Sequence, residues 1–361
     1  MGAVDLARYA TVLAALATAC SSSPAAIQGS GGTIQGSGGA TTTPLPPVDN
    51  AGKSIERSPD AAHPGYEVVP GWLKLPPGEA VGQAVGVEVD SHNHVFFFHR
   101  ADRGWGNPTI IDKPTIFMVD GDSGEILAEM GQGLFMVPHG LTVDQDDNLW
   151  VTDVGQSLVF KLSHEGAVLE TVGAGNACMC PGQADAFNMP TDVAISPGGD
   201  VYVSDGYGNS RVAELTPQGE VALQWGEEGL APGQFHLPHG VAFDGRLYVA
   251  DRANARIQIF DAGGALLDVW SGPTIGRPWG VAIGAQHHVF IIDGGDQIDA
   301  HPAGRAVELD HEGNVVTTWG TFGSAEGQFN AGHAISVAPD GSVYVVEQVG
   351  KRIQKFRPAP P

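Results

Sequence analysis

The chain has 361 residues, room for one large domain or two ordinary ones, and 42% are hydrophobic, enough for a sizeable core. A formal charge of −23, with no run of lysine and arginine, excludes a nonspecific nucleic-acid binder; the acidity serves solubility. The 51 glycines and 25 prolines follow no Gly-X-Y period, which excludes collagen and predicts a chain rich in turns.

Residues 1–20, "MGAVDLARYATVLAALATAC", carry one arginine, then an apolar stretch too short for a stable membrane span, then Ala17-Thr18-Ala19 before Cys20. The pattern predicts an export signal of lipoprotein type, with Cys20 the first mature residue and a periplasmic or cell-surface destination. Ala17 stands where such signals usually carry leucine, and Asp5 dilutes the basic start, so plain secretion and an unprocessed start stay open. Residues 21–65 are rich in Ser, Gly, Thr and Pro and contain the duplication "IQGSGGTIQGSGG". That composition predicts a disordered linker, and a membrane is expected as a partner only through the lipid.

From residue 66 to 361 the chain repeats itself. "PHGLTVDQDDNLWVTD" at 138 returns as "PTDVAISPGGDVYVSD" at 190, "PHGVAFDGRLYVAD" at 238, "PWGVAIGAQHHVFIID" at 278 and "GHAISVAPDGSVYVVE" at 332. An earlier, less regular copy reads "AVGVEVDSHNHVFFFHR". Each copy opens a run of short period-two strands separated by glycine-rich turns, and four such strands fill about 40–50 residues, the period of a propeller blade. Six starts predict an all-β, six-bladed propeller; a solenoid or a stacked sandwich is the alternative. Cys178 and Cys180, in "GNACMCPG", are too close together and too few for a zinc site, which leaves a loop disulfide or free thiols.

Aligning the mouth of each first strand gives the series Val85, His139, Thr191, His239, Trp279, His333. The histidines fall on blades two, four and six, a threefold arrangement around the channel. It predicts a Zn²⁺ site with an open fourth position. Arg100, Tyr207 and Arg252 follow the second strands of blades one, three and four at the same end. They suit carboxylate recognition and proton transfer. Asp153, Asp205, Asp251 and Asp293 recur at the ends of second strands and are read as turn braces. His92, His94, His287 and His288 are read as turn or strand-start residues and His236 as a loop residue, with no second metal cluster expected among them.

The blades resemble NHL repeats. Over about residues 66–357 the chain is similar to the peptidyl-α-hydroxyglycine α-amidating lyase family, in "FHRADRGW", "VPHGLTVDQDDNLWVTDVGQSLVFKL", "PTDVAISPGGDVYVSDGYGNSRV", "WGEEGLAPGQFHLPHG" and "VADRANARIQIF". The resemblance implies a lyase that splits peptidyl or N-acyl α-hydroxyglycine into an amide and glyoxylate. It implies zinc on His139, His239 and His333, a catalytic Tyr207, and active-site Arg100 and Arg252. It also implies a structural calcium held partly by the carbonyls of Val87 and Leu141. Where the family has Met-Pro-His-Asp, this chain has Ala331-Gly332-His333-Ala334. Ala334 removes a calcium-binding carboxylate, so calcium is expected to bind weakly or not at all. The family's disulfide positions fall on Asn188 with Gly208 and on Tyr248 with Ile259. No oxidative domain that would supply the hydroxylated substrate is seen, and a monomer is expected. Two other readings stay open: a lipid-anchored propeller that binds a peptide or protein, and a metal-dependent hydrolase or lyase for another small metabolite.

Overall fold

A computed structural model describes residues 53–54, 65–107, 109–174, 187–216, 218–295 and 303–360. The export signal with Cys20, most of the 21–65 stretch, and Cys178 and Cys180 lie outside them.

The described strands form six sheets. Their inner strands are Ala84–Val89, Pro138–Val143, Asp192–Ile195, Pro238–Phe243, Pro278–Ile283 and Gly332–Val337. Each packs against the next, and the last returns to the first, closing a six-bladed propeller around a central channel. Within every blade the inner strand runs antiparallel to a second strand: His94–His99, Leu149–Asp153, Val201–Asp205, Leu247–Asp251, Val289–Asp293 and Val343–Glu347.

Blade six borrows its outermost strand. Tyr66–Val68 pairs antiparallel with Arg352–Pro358, in the register Tyr66↔Pro358 and Val68↔Phe356. The start of the propeller segment therefore fastens its end. Lys53–Ser54, within the stretch whose composition reads as linker, pairs in parallel with the outer strand Leu266–Ser271 of blade four.

Second strands are buried along their whole length in blades two to six, so alternation in them is not apolar against polar. Odd and even positions instead face different neighbours. Phe96 and Phe98 join Leu149 and Val151 in the core between blades one and two, while Phe97 joins Tyr344 and Val346 between blades one and six. Trp150 meets Val201 and Val203, Tyr202 meets Leu247, Tyr248 meets Val289, and Phe290 meets Val343. Six cores, one per blade interface, hold the ring.

The ends of second strands carry the braces. Asp153 accepts the amides of Met136 and Val137; Asp205 accepts that of Asn188 and the Arg211 guanidinium; Asp251 accepts that of His236 and Arg256. Asp293 does the same with Arg277 N and Arg305, and in blade six Glu347 takes over with Asn330 N and Arg352. Each ties the incoming loop to its blade, the scaffold role read from the recurrence. At the implied disulfide positions, the Asn188 amide stands where a Cβ on Gly208 would lie, and Tyr248 is the register partner of Ile259. Contact at both places is supplied without sulfur.

Candidate metal centre

His139, His239 and His333 all stand at the starts of inner strands and meet on the channel axis. Their ring centroids lie 4.7, 4.6 and 4.7 Å apart, close to an equilateral triangle. All three are buried. Each imidazole is held by the blade that follows it. His139 Nδ1 donates to the Thr191 carbonyl at 2.7 Å, His239 Nδ1 to the Trp279 carbonyl at 2.6 Å, and His333 Nδ1 to the Val85 carbonyl at 2.7 Å. The alternating series thus divides into three rings that point inward and three carbonyls that aim them. A proton fixed on Nδ1 leaves the Nε2 lone pair as the ligating atom.

Glycine after the histidine makes this approach feasible. A Cβ on Gly140 would sit 2.6 Å from the Thr191 carbonyl, and one on Gly240 would sit 2.8 Å from that of Trp279. Those are the two carbonyls that orient His139 and His239.

Burial is the main force that drives all three imidazoles well below the ordinary histidine value. The Arg100 and Arg252 charges press the same way, and for His239 and His333 so does a neighbouring imidazole. The backbone acceptors of His139 and His239 only partly oppose this. The rings are neutral at ordinary pH, the form a metal requires. His333 Nε2 is buried with no hydrogen-bond partner, the mark of an atom arranged for something else. One nitrogen from each ring lies within 4.8 Å of the others. This donor set fits Zn²⁺, which favours imidazole nitrogen and accepts three protein ligands with one open position.

Tyr207 stands over the triad. Its hydroxyl lies 3.1 Å from His139 Nε2 and 3.4 Å from His239 Nε2, and it accepts from Arg252 Nη1 at 3.4 Å. Arg252 itself sits over the face of Trp279, its guanidinium carbon 3.4 Å from the ring centroid. Arg100 donates from Nε to the Pro138 carbonyl at 3.0 Å and from Nη1 to Gln83 at 2.9 Å, so it is locked between blades one and two. Trp105 packs 4.9 Å from the Tyr207 ring, and the Arg100 guanidinium sits 5.0 Å from the Trp105 ring. The fold therefore brings Tyr207 and Arg252 onto the histidines and joins Arg100 to them through Trp105. Trp105, Trp279 and Gln83 join this site without being singled out by the repeat pattern. The "FHRADRGW" stretch contained the first, and the aligned strand-start series contained the second.

Below the triad the inner strands enclose a cavity of about 170 Å³. Val87, Leu141 and Ala334 line it, together with Glu88 and Asp192, but Tyr207, Arg100 and Arg252 do not. Ala334 brings no charge to this channel, yet the channel is not without carboxylates. Burial pushes Glu88 up to about 7 and Asp192 up to about 8. Glu88 accepts from Ser336 Oγ at 2.5 Å, and Asp192 accepts the Val241 amide at 3.1 Å. Neither residue belongs to a recurring series: the other blades place Gly or, at Ala334, Ala at the Asp192 position, and Thr, Ala or, at Ser336, Ser at that of Glu88, so each carboxylate is a single departure from the repeat.

Two of the other histidines gather with neighbours that the sequence pattern does not bring together. His92 and His94 converge with Asp90 and with His164, a residue from the next blade. His287 and His288 instead pair with Asp244 and Glu308, and His236 is exposed.

A family profile for the NHL repeat matches residues 135–162, 187–215 and 235–260, which fall on blades two, three and four. Among curated proteins, the chain is 34% identical over 305 residues to peptidyl-glycine alpha-amidating monooxygenase B of Xenopus laevis, covering 77% of this chain and 34% of that protein. It is 31% identical over 307 residues to a probable peptidyl-alpha-hydroxyglycine alpha-amidating lyase of Caenorhabditis elegans, covering 78% of this chain and 84% of that protein. The chain thus spans about a third of the length of the monooxygenases but most of the nematode protein. Among solved structures, a gluconolactonase from Xanthomonas campestris superposes with a TM-score of 0.57 at 15% identity, covering 88% of this chain and 98% of that one. That likeness concerns the propeller fold alone.

Proposed function

Because the chain belongs to the family of peptidyl-α-hydroxyglycine α-amidating lyases, we propose that it is a zinc-dependent lyase. It cleaves the C–N bond of peptidyl or N-acyl α-hydroxyglycine to an amide and glyoxylate. The observation that carries this reading is the convergence of three Nε2 atoms, each fixed by a carbonyl behind it, beneath a tyrosine hydroxyl that touches two of them.

His139, His239 and His333 would hold the Zn²⁺. When bound, the metal supplies Lewis-acid stabilisation of negative charge at the substrate hydroxyl oxygen. The Tyr207 oxygen is placed to take the proton of that hydroxyl. As the oxygen becomes the aldehyde oxygen of glyoxylate, the C–N bond breaks and its electron pair stays on nitrogen. The proton taken up by the Tyr207 oxygen passes to that nitrogen, which leaves as the amide and returns Tyr207 to its starting state, so atoms and charge balance. Arg252 Nη1, already on the Tyr207 oxygen, stabilises the phenolate, and its flat, fork-shaped head suits the substrate carboxylate. Arg100, fixed by Pro138 and Gln83, contributes a stationary positive charge rather than a moving arm. Trp105 packs against the Tyr207 ring and helps hold it over the histidines.

The channel carboxylates bear on calcium. With Glu88 and Asp192 pushed up to about 7 and about 8, the pair carries only part of its negative charge near neutrality, and Ala334 adds none. Calcium in this channel is weak at neutral pH and strengthens as the two groups ionise. Export on a lipidated Cys20 remains part of the proposal, and Cys20→Ser should shift the protein out of the membrane fraction.

The test is glyoxylate release from an N-acyl-α-hydroxyglycine by zinc-loaded protein. Release should exceed the spontaneous rate and disappear with a chelator. Saturable binding without zinc-dependent release at any pH would replace the lyase with the peptide-binding propeller.

A further inference from the structure

The turn between the first two strands of blade one, "DSHNH" at 90–94, lies at the opposite end of the blade from the histidine triad. Asp90 is a turn residue of a kind that recurs in the propeller: its Oδ1 accepts the amides of His92 at 2.8 Å and His94 at 2.7 Å. Asp144 does the same in blade two, accepting the amides of Asp146 and Asn148. The two blades differ in what meets the second oxygen. Around Asp144 Oδ2 stand the Asn148 amide, the Trp150 indole and the Lys161 ammonium, which can only donate. Around Asp90 Oδ2 stand two imidazoles, His94 Nδ1 at 2.9 Å and His164 Nε2 at 2.8 Å.

A third imidazole completes the group. His92 Nδ1 lies 3.2 Å from Asp147 Oδ2 and 3.2 Å from Ser91 Oγ. Asp147 is itself fixed by the Ser91 amide at 3.0 Å and the Ser91 hydroxyl at 2.7 Å. A carboxylate on one ring nitrogen is the usual way a protein aims the other nitrogen at a metal. Among the described residues, this group and the central triad are the two that gather three or more such ligand atoms within 4.8 Å of one another. Tetrahedral arms of about 2.0–2.1 Å place neighbouring ligand atoms about 3.3 Å apart, so the close pairs need to part by only about half an ångström.

We propose that Asp90, His92, His94 and His164 form a second transition-metal site, suited to Zn²⁺, that staples blade one to blade two on the face away from the triad. Three imidazoles and one carboxylate select a borderline divalent ion over calcium or magnesium. The staple joins the inner turn of blade one to the outer turn of blade two, two segments otherwise linked here by side-chain hydrogen bonds. The ring of His164 already packs edge-on against Phe96 of blade one, with centroids 5.3 Å apart, so the two blades meet at this point before any ion binds.

The experiment counts zinc. Protein stripped with a chelator is reloaded with zinc, desalted, and analysed for zinc per chain by atomic emission. The wild type should hold one more zinc than a His92→Ala/His164→Gln variant. His92→Ala alone, at an exposed turn, serves if the double variant does not fold, and should lose the same single equivalent. Because the readout is a difference of one, failure of the triad as a zinc site would lower both totals and leave the test intact. Equal zinc content in the wild type and the variants overturns the proposal.

Discussion

Raising the pH of the metal-free protein from about 5 to about 9 should cost it several kcal/mol of stability through two carboxyl groups in the channel. Burial is the first cause of the rise in both: Glu88 goes from 4.5 to about 7 and Asp192 from 3.8 to about 8. The Ser336 hydroxyl and the Val89 amide oppose the rise at Glu88; at Asp192 the Glu88 charge adds to it. A folded state that holds protons more tightly than the unfolded chain is favoured below the unfolded values. It loses that advantage as pH climbs through the folded ones. The differences are 7 − 4.5 = 2.5 and 8 − 3.8 = 4.2. At about 1.4 kcal/mol for each pH unit they correspond to about 3 and about 6 kcal/mol, an upper bound because both side chains line the channel cavity and the Glu88 charge is part of what raises Asp192. Asp153, Asp205, Asp251, Asp293 and Glu347 are raised by burial as well and push the same way, so the overall slope does not isolate the channel. Asp192→Asn does. It keeps an acceptor for the Val241 amide but removes the proton from the balance. Urea unfolding at a series of pH values, with unchanged m, should show a flatter profile for the variant and a crossover that leaves it the more stable protein at high pH. Calcium should stabilise the wild type at high pH, and the variant less. Parallel profiles for the two proteins would refute the channel argument.

Tyr207→Phe keeps the tilted ring contact with Trp105 and removes only the hydroxyl between His139 and Arg252, so zinc content should stay and kcat should fall about 10²–10⁴-fold; steady-state glyoxylate assays with metal analysis decide it. His333→Ala should abolish zinc binding at the triad with little change in the unfolding midpoint of the metal-free protein. It removes one bond to Val85 and an Nε2 that has no partner, as parallel metal titration and urea melts will show. Arg252→Lys keeps the charge but loses the guanidinium contact with Trp279, and should raise KM more than it lowers kcat.

Much of the fold is legible because repetition multiplies a weak signal. One alternating strand such as "LWVTD" says little, but six copies at blade spacing specify a ring. What escapes is whatever the repeat does not contain. Tyr66–Val68 is three residues long and matches no blade motif, yet it completes blade six. The triad was readable because its members occupy one aligned position. Trp105 was not, because it sits on a loop between strands two and three of blade one. Asp90 hid for the opposite reason: it looks like every other turn acid, and its partner His164 belongs to a different blade. Alignment within a repeat finds groups at equal height and misses groups assembled across unequal turns.

The same geometry explains why the triad belongs to the ring rather than to any blade. Each histidine is aimed by a carbonyl of the following blade, and each following blade shares a packed core with both of its neighbours. For His139 and His239 that neighbour is also the next segment of chain. For His333 it is Val85, in the first blade, reached only when the ring closes. Tyr66–Val68 completes blade six on the way into blade one: its Tyr66 ring lies 4.3 Å from Trp319 and its pairing fixes Arg352–Pro358. Two imidazoles are therefore set by local chain order and the third by closure. A metal bound by all three reports that the ring is complete, and its binding energy favours the closed state by mass action.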